Sequence, residues 1–146
     1  MYIIKDSFDF TVDHGTVITL GKFDGVHRGH QALIGRVKAY AASYKSLGRS
    51  PKTVVFTFMI NQYTLLTVEE RREIIGNMGI DILGECPFVP MIITMEAEDF
   101  VRKILVEQMQ VCHLVVGEDF RFGYGRRGDV AMLRELGRRY DFTVEV

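Results

Sequence analysis

The stretch TVITLGKFDGVHRGH, residues 16–30, decides how this chain is interpreted. Its first part, Thr16–Leu20, is apolar and β-branched, as strands are, and it leads straight into a segment rich in glycine and histidine. Apolar residues at helical spacing come next, at Leu33, Val37, Ala41 and Tyr44. The stretch therefore predicts a strand, a glycine-rich turn and a helix, in that order.

The rest of the chain repeats this alternation of short strands and longer helices. Further strands are predicted at Thr53–Phe58, Cys86–Val89, His113–Val116 and Phe142–Val146. Runs that are apolar throughout suit strands covered on both faces, as in parallel sheets.

Three more helices are predicted between these strands. Thr67 and Glu70 have the spacing of a capping box, which opens a helix that ends near Gly79. Apolar stripes mark the other two, one through Phe100, Ile104 and Met109 and one through Val130, Leu133, Leu136 and Tyr140. We therefore expect one α/β domain built on a parallel sheet.

The composition is that of a soluble globular domain. Apolar residues make up 47% and charged residues 25% of the 146, and the net charge is −1. This balance gives no long-range attraction for nucleic acid or an anionic membrane, so any anion must be held by a local site. Acidic residues near the N-terminus interrupt the apolar run that a signal peptide needs. No apolar run reaches the roughly 20 residues of a membrane span, and the two cysteines form no paired motif. We expect a cytoplasmic protein with reduced thiols and no nucleic-acid or membrane partner.

The turn after the first strong strand has the features of an anion-binding site. In a parallel α/β sheet, ligands bind where the carboxyl ends of strands meet the first turns of helices. Gly25 and Gly29 permit positive φ angles and a close approach to the backbone, and free N–H groups at the helix start attract anions. His27 and His30 lie at the same helix end, where polyphosphate would favour their protonated forms. Both imidazoles would donate hydrogen bonds to phosphate oxygens that gain charge.

Two other interpretations of the histidines stay open. Zinc would need further ligands from carboxylates or from Cys86, Cys112, His113 or His14, none of which stands at a spacing typical of zinc sites. A plain glycine-rich turn would explain either histidine alone. Neither the dinucleotide-binding GxGxxG nor the Walker GxxxxGK[ST] pattern is present. The residues therefore favour an anion site of another type.

GKFDGVHRGH resembles the HxGH signature of the nucleotidyltransferase superfamily, in the form typical of bacterial FAD synthetases. VGEDFRFG at residues 116–123 and the basic loop at 124–128 are similar to the second glycine-rich motif of that family. LLTVEERREII, followed by GID at residues 79–81, and MEAEDFVRKIL at residues 95–105 also agree with it. The resemblance extends along nearly the whole chain and implies a Rossmann-like, doubly wound parallel sheet.

The resemblance implies a transferase that joins FMN and ATP to give FAD and pyrophosphate, with Mg²⁺ accompanying ATP. In such an enzyme His27 and His30 would be the catalytic residues. The implied ATP-binding set is Gly21, Phe23, Asp24, Gly25, His27, His30, Gly117 and Asp119, and the implied FMN-binding set is Asn61, Phe120, Arg121, Phe122, Arg126 and Arg127. No residue of the protein is assigned as a metal ligand. A riboflavin kinase domain, the source of FMN, usually accompanies such a domain.

Several of these residues also have simpler explanations. Asp119 could cap a local turn, and one of the two phenylalanines could belong to the core. The three arginines could form a solvated basic loop. The methionines at positions 59, 78, 91 and 95 are expected to pack rather than to contact a ligand.

The chain departs from the family in two places. Met59–Tyr63 replaces an Asp-Pro-His-Pro-like stretch, and the later Ile-Ser-Ser-x-x-Ile-Arg motif, which binds ATP phosphates, is missing. We therefore expect residues 1–146 to be a C-terminally truncated adenylyltransferase domain without the kinase domain, with weak or no adenylylation by this chain alone. Two alternatives are a related nucleotidyltransferase with another acceptor, such as phosphopantetheine or a cytidylyl-transfer substrate, and a non-catalytic nucleotide- or flavin-binding module.

Overall fold

The computed structural model describes residues 1–5, 15–23, 25–59, 65–87 and 89–146, and these contain a six-stranded sheet. Its strands are β1 (Tyr2–Lys5), β2 (Thr16–Gly21), β3 (Lys52–Met59), β4 (Ile82–Pro87), β5 (Val111–Val115) and β6 (Thr143–Glu145). They lie in the order β1-β4-β3-β2-β5-β6, and every neighbouring pair is parallel. The strand order places β2 and β3 in the interior of the sheet.

The helices lie between the strands in the chain and on both faces of the sheet. They are α1 (Arg28–Ser43), α2 (Val68–Asn77), α3 (Pro90–Ile93), α4 (Ala97–Phe100) and α5 (Val130–Tyr140). Short 3₁₀ turns occupy Tyr44–Leu47 and Tyr124–Arg126. Helix α4 continues as a π-helix over Val101–Gln108, whose end is marked by a bond from Met109 N–H to the Ile104 carbonyl at 3.0 Å. None of the helices in the described part of the chain is long and apolar enough to cross a bilayer.

Two hydrophobic cores cover the two faces of the sheet. Alternate residues of β2 point to opposite sides, so that Val17 joins the core under α1 and α2 while Ile18 joins the core under the π-helix and α5. Ile34 and Ile75 complete the first core, and the second core contains the buried residues Phe100, Ile104, Leu105, Leu133 and Leu136. The fold is therefore a Rossmann-like, doubly wound α/β sheet, as expected from the sequence.

The predicted helices are confirmed with small shifts in their bounds. Thr67 caps α2, its hydroxyl accepting from Glu70 N–H while the Glu70 carboxylate accepts from Thr67 N–H, both at 3.1 Å. Gly79 follows this helix with φ of 80°, which is the left-handed conformation that ends helices. The stripe Phe100, Ile104 and Met109 is buried, and its wider second step is the spacing of a π-helix.

The predicted strand at Cys86–Val89 is wrong, because the strand is Ile82–Pro87 and Val89 caps α3. Two residues hid this strand from the apolar pattern. Gly84 makes room for the Phe56 ring, which lies 3.2 Å from where a Cβ would stand. Glu85 is only 5% exposed, and Arg72 of α2 donates to its carboxylate at 2.6 and 3.0 Å. The edge strand β1 was not predicted.

The path of the chain through the sheet creates a switch point beside β2. From β2 the chain proceeds outward through β3 to β4, and then returns to the other side of β2 as β5. The segments that follow β2 and β5 consequently leave the same edge of the sheet and turn away in opposite directions. Ligands of open α/β sheets bind in the crevice formed at such a point.

Candidate nucleotide and flavin site

The turn between β2 and α1 is strained and held at both sides. Phe23 and Val26 adopt left-handed conformations, with φ of 47° and 45°, although both carry side chains and both are buried. Such conformations cost of order 1–3 kcal/mol each and concentrate at functional sites. The Thr57 hydroxyl donates to the Lys22 carbonyl at 2.7 Å, and Gln31 Nε2 donates to the Val26 carbonyl at 3.2 Å.

The glycines of this turn serve other purposes than the sequence suggested. Gly29 lies within the first turn of α1, and neither Gly25 nor Gly29 adopts the positive φ that a glycine permits. A Cβ at Gly29 would meet nothing within 4 Å, which leaves the backbone open to an approaching group. At Gly25 a Cβ would stand 2.6 Å from the His27 ring, so the absence of a side chain there allows the imidazole to pack over the turn.

His27 and His30 form a stacked pair at the start of α1. Their ring centroids lie 5.5 Å apart with 25° between the planes, and the Phe23 ring lies 4.8 Å from that of His30. His27 caps the helix, and its backbone N–H donates to His30 Nδ1 at 3.1 Å. Because His30 Nδ1 accepts this bond, the neutral ring carries its proton on Nε2. The arrangement offers an N–H donor next to the positive end of the α1 dipole.

The residues after β5 reach the same edge of the sheet. Gly117, Glu118 and Asp119 are exposed, and Phe120 N–H donates to the Gly117 carbonyl at 3.1 Å in a tight turn. A Cβ at Gly117 would meet nothing within 4 Å. Gly21 ends β2 and Gly117 follows β5 by two residues, so both lie at the switch point; the backbone is open at Gly117, whereas the Phe23 ring lies 3.1 Å from where a Cβ of Gly21 would stand.

An apolar cavity of about 320 Å³ opens beside Lys22, on the face of the sheet opposite to α1. Phe58 of β3, Phe100 of α4 and Phe122 form an aromatic wall, with ring centroids 5.7 Å apart for the first pair and 6.1 Å for the second. Ile92, Ile93 and Met95 complete the apolar lining, and Lys22, Gly123, Gly125, Arg121 and Arg126 form the rest. The cavity therefore combines an apolar lining with three cationic residues.

The loop that carries these arginines is firmly built. Phe122 and Gly128 form an isolated antiparallel bridge, with hydrogen bonds of 2.8 and 3.1 Å. A Cβ at Gly128 would stand 2.6 Å from the Phe122 ring, and one at Gly123 would stand 2.7 Å from the Ala97 backbone. Tyr124 N–H donates to the Met95 carbonyl at 2.9 Å, which fastens the loop to the other side of the cavity.

A second, more polar depression of about 360 Å³ lies beside the first. It is bounded by Glu118, Asp119, Phe120 and the first turn of α5, and Arg121 and Arg126 line both depressions. Asp129 caps α5, accepting from Met132 N–H at 2.9 Å, and its other oxygen lies 3.8 Å from Arg121.

The structure brings most of the predicted site residues to one edge of the sheet, with exceptions. Phe120 stacks on Phe122 at 5.7 Å but does not line the apolar cavity. Arg127 also stays outside it, near Glu96 at 3.8 Å and over the Tyr124 ring. Asp24 and Asn61 lie outside the described residues, so their assignments stay predictions.

Sequence reasoning missed half of the cavity lining. The sequence predicts only a strand position for Phe58, a helix position for Phe100 and a packing role for Met95. It does not indicate Lys22, Ile92 or Ile93 as site residues. Only the alternation along β2 contained a usable signal, since it places Lys22 on the opposite face from Gly21. The other lining residues come together at the cavity only when the separate elements that carry them pack against one another. No local sequence pattern encodes that packing.

Of the other candidate zinc ligands, Cys86 and His113 lie in β4 and β5, and His14 lies outside the described residues. Cys86 is buried in β4, and burial raises the pKa of its thiol to about 12. His113 is buried in β5, where its ring bonds to Thr143 and Glu145 and stacks on Tyr40. Within residues 1–5, 15–23, 25–59, 65–87 and 89–146, no group of three or more His, Cys, Asp or Glu side chains converges in a way that could hold a metal ion.

The fold and the turn define the class: a Rossmann-like α/β protein with a glycine- and histidine-containing turn at its switch point. Comparison with known proteins specifies the family, because the model of the FAD synthetase family matches residues 9–146. The chain belongs to the FAD synthetase family.

Individual relatives agree with this assignment. The chain is 33% identical to a bifunctional riboflavin kinase/FMN adenylyltransferase of Pseudomonas fluorescens, over 99% of this chain and 48% of the relative. It is 34% identical to an FAD synthetase of Listeria monocytogenes, over 88% of this chain and 54% of the relative. The chain thus spans about half the length of the curated relatives it matches.

A solved structure confirms the fold. It is titled "Crystal Structure of Macrolide-efflux Protein from Streptococcus pneumoniae", and it superimposes with a TM-score of 0.78 at 25% identity. The match covers 98% of this chain and 48% of the solved one.

Proposed function

We propose that this chain carries an FMN adenylyltransferase site, which transfers the adenylyl group of ATP to the phosphate of FMN and releases pyrophosphate. One observation carries the proposal: the turn with the stacked histidines and a cation-rimmed aromatic cavity adjoin at residues 21–23, at the switch point of a chain of the FAD synthetase family. A nucleotide and a flavin would meet where these two sites join.

The turn between β2 and α1 would hold the phosphates of ATP. The first backbone N–H groups of α1 and the open backbone at Gly29 suit a close approach by phosphate oxygens. His30 would donate from Nε2 to oxygens that gain negative charge as the adenylyl group is transferred. Neutral His30 keeps its Nδ1 bond to His27 N–H, so this geometry favours the neutral ring rather than the protonated form expected from the sequence. Gly117 and Asp119 would face the nucleoside from β5.

The apolar cavity would hold the isoalloxazine ring of FMN. Its volume of about 320 Å³ lies within the ~300–1,000 Å³ of pockets for small ligands. Phe58, Phe100 and Phe122 offer ring faces and edges to a planar heterocycle. Arg121 and Arg126 stand at the rim, where they would pair with the FMN phosphate. Phe120 and Arg127 do not line the cavity, so we expect them to support neighbouring residues rather than to contact FMN.

The reaction needs little from the protein beyond positioning and charge compensation. A phosphate oxygen of FMN forms a bond to the α-phosphorus of ATP, the bond from that phosphorus to the bridging oxygen breaks, and pyrophosphate leaves with the electron pair. Holding both reactants in line supplies much of the rate enhancement. We propose that Mg²⁺ enters with ATP as part of that substrate, and we assign no protein residue to it.

We further propose that the site works in the cytoplasm, together with a riboflavin kinase that supplies FMN, because the Pseudomonas fluorescens relative is named for both activities. The net charge of −1 favours small-molecule substrates over nucleic acid or membranes as partners.

The test uses the 146-residue chain with ATP labelled at the α-phosphorus, MgCl₂ and a panel of acceptors: FMN, riboflavin and 4′-phosphopantetheine. We expect label to enter FAD with one unlabelled pyrophosphate per FAD, at enzyme concentrations high enough to detect a slow reaction. Binding of FMN and ATP with no FAD formed would support either a truncated transferase site or a binding module. Label transferred to phosphopantetheine, or no binding of FMN, would overturn the proposal.

A further inference from the structure

Lys22 lies at the junction of the two proposed sites. It follows the last residue of β2, and its side chain lines the apolar cavity. Its neighbour Phe23 points to the other face of the sheet, where the ring is fully buried and supports His30. The Thr57 hydroxyl bonds to the Lys22 carbonyl and so fixes the backbone from which the lysine projects. Lys22 and Phe23 thus point to opposite faces of the sheet, Lys22 toward the apolar cavity and Phe23 toward His30.

The cavity that Lys22 lines has an unbalanced positive charge. Among the residues that the structure describes, its lining contains Lys22, Arg121 and Arg126 and no carboxylate. Arg121 has a distant acid, with its guanidinium 3.8 Å from Asp129. Within the described part of the chain, neither Lys22 nor Arg126 forms an ion pair. A cavity with three cations and an apolar floor is complementary to a ligand that is flat at one end and anionic at the other.

The three cations of this cavity come from two segments of the chain. Arg121 and Arg126 belong to the loop after β5, whereas Lys22 follows the last residue of β2, one residue before the ring that supports His30. Lys22 is therefore the cation of the cavity that lies nearest in the chain to the turn with the histidines.

We propose that Lys22 binds the phosphate of the flavin substrate and offsets its repulsion from the α-phosphate of ATP while the two are brought into contact. This inference rests on the proposed function and adds a residue to it. The ammonium group acts as a point charge with three donors and transfers no proton. The new bond joins the flavin phosphate oxygen to the α-phosphorus, and Lys22 remains bonded to nonbridging oxygens throughout.

The test compares Lys22→Met, which keeps the apolar stem and removes the charge, with Lys22→Arg, which keeps the charge. The matched control is Lys45→Met, at an exposed lysine in the 3₁₀ turn Tyr44–Leu47. Each variant is titrated with FMN and with riboflavin, which has the same ring system but no phosphate, and flavin fluorescence reports binding. Thermal unfolding confirms that each variant is folded.

We expect Lys22→Met to weaken FMN binding about tenfold or more, the usual effect of losing a hydrogen bond to a charged group. Riboflavin binding should change less than twofold, Lys22→Arg should recover most of the FMN affinity, and Lys45→Met should match the unsubstituted chain. Equal losses for FMN and riboflavin, or no loss for either, would overturn the role of Lys22 while leaving the proposed function in place. Failure of the unsubstituted chain to bind FMN would overturn both.

Discussion

The backbone N–H of His27 donates to Nδ1 of His30 at 3.1 Å, so the capping of α1 and the tautomer of a proposed catalytic histidine are set by the same bond. The helix start thereby orients His30 with Nε2 as its donor. The Phe23 ring, whose backbone has a strained left-handed conformation, packs against the imidazole at 44° with the ring centroids 4.8 Å apart. This relationship makes the turn a preorganised donor site.

Replacing His30 by Gln or by Ala should lower the rate of FAD formation by about 10²–10³, because one donor to the developing charge is lost. Gln should retain part of the helix cap and unfold at nearly the temperature of the unsubstituted chain. Rates are measured from the labelled ATP at saturating FMN. A folded His30→Ala variant with the original rate would remove His30 from the mechanism.

Gly29→Ala should leave the fold intact and weaken ATP binding at least tenfold. The added methyl group meets no protein atom within 4 Å, so the free energy of unfolding should stay constant or rise by up to about 1 kcal/mol. A phosphate lying on that backbone would collide with it. Calorimetric titration with MgATP measures the loss.

Gly35→Ala is the matched control, since Gly35 is exposed on the same helix and also has free space around it. It should stabilise the protein by about 0.5–1 kcal/mol and leave ATP binding unchanged. Undiminished ATP affinity in Gly29→Ala would place the phosphates away from the start of α1.

Gly123→Ala should destabilise the protein by at least about 2 kcal/mol, because strain and collision add. The residue has φ of 78°, and its Cβ would stand 2.7 Å from the Cα of Ala97. Urea unfolding gives the change in free energy.

Gly48→Ala separates the two causes of that loss. Its φ is 70°, but nothing lies within 4 Å of a Cβ there, so it should lose only about 1 kcal/mol. Equal losses at the two glycines would mean that the loop of residues 122–128 is not packed against α4 as described.

Acidification should destabilise the fold through His113. Burial lowers the pKa of this imidazole, an effect that Arg36 reinforces and Glu145 opposes. Because the folded pKa lies below the unfolded value of about 6.5, the unfolded chain binds more protons between the two, and stability falls as the pH drops through this range. His113→Gln should therefore show a smaller decrease in melting temperature from pH 7.5 to 5.5. An unchanged pH dependence would exclude His113 as its source.

The sequence predicted what local patterns determine. Strand β2, the capping box at Thr67 and the helix through Leu133 follow from periodicity and capping chemistry, and the anion site at the glycine-rich turn stays a prediction. Strand β4 was misplaced because Glu85 is made compatible with burial by Arg72, a partner 13 positions away. The aromatic wall was missed because Phe58 and Phe100 meet only after two elements pack together.

The central claim is that ATP and FMN occupy adjoining sites at the carboxyl ends of β2 and β5, and competition against FAD tests it most directly. FAD contains both the adenylyl and the flavin parts and would span the two sites. The account predicts that ATP and FMN each displace FAD from the chain at a 1:1 stoichiometry, and that they bind together without displacing each other. FAD binding that is insensitive to one of them, or mutual exclusion of ATP and FMN, would contradict it.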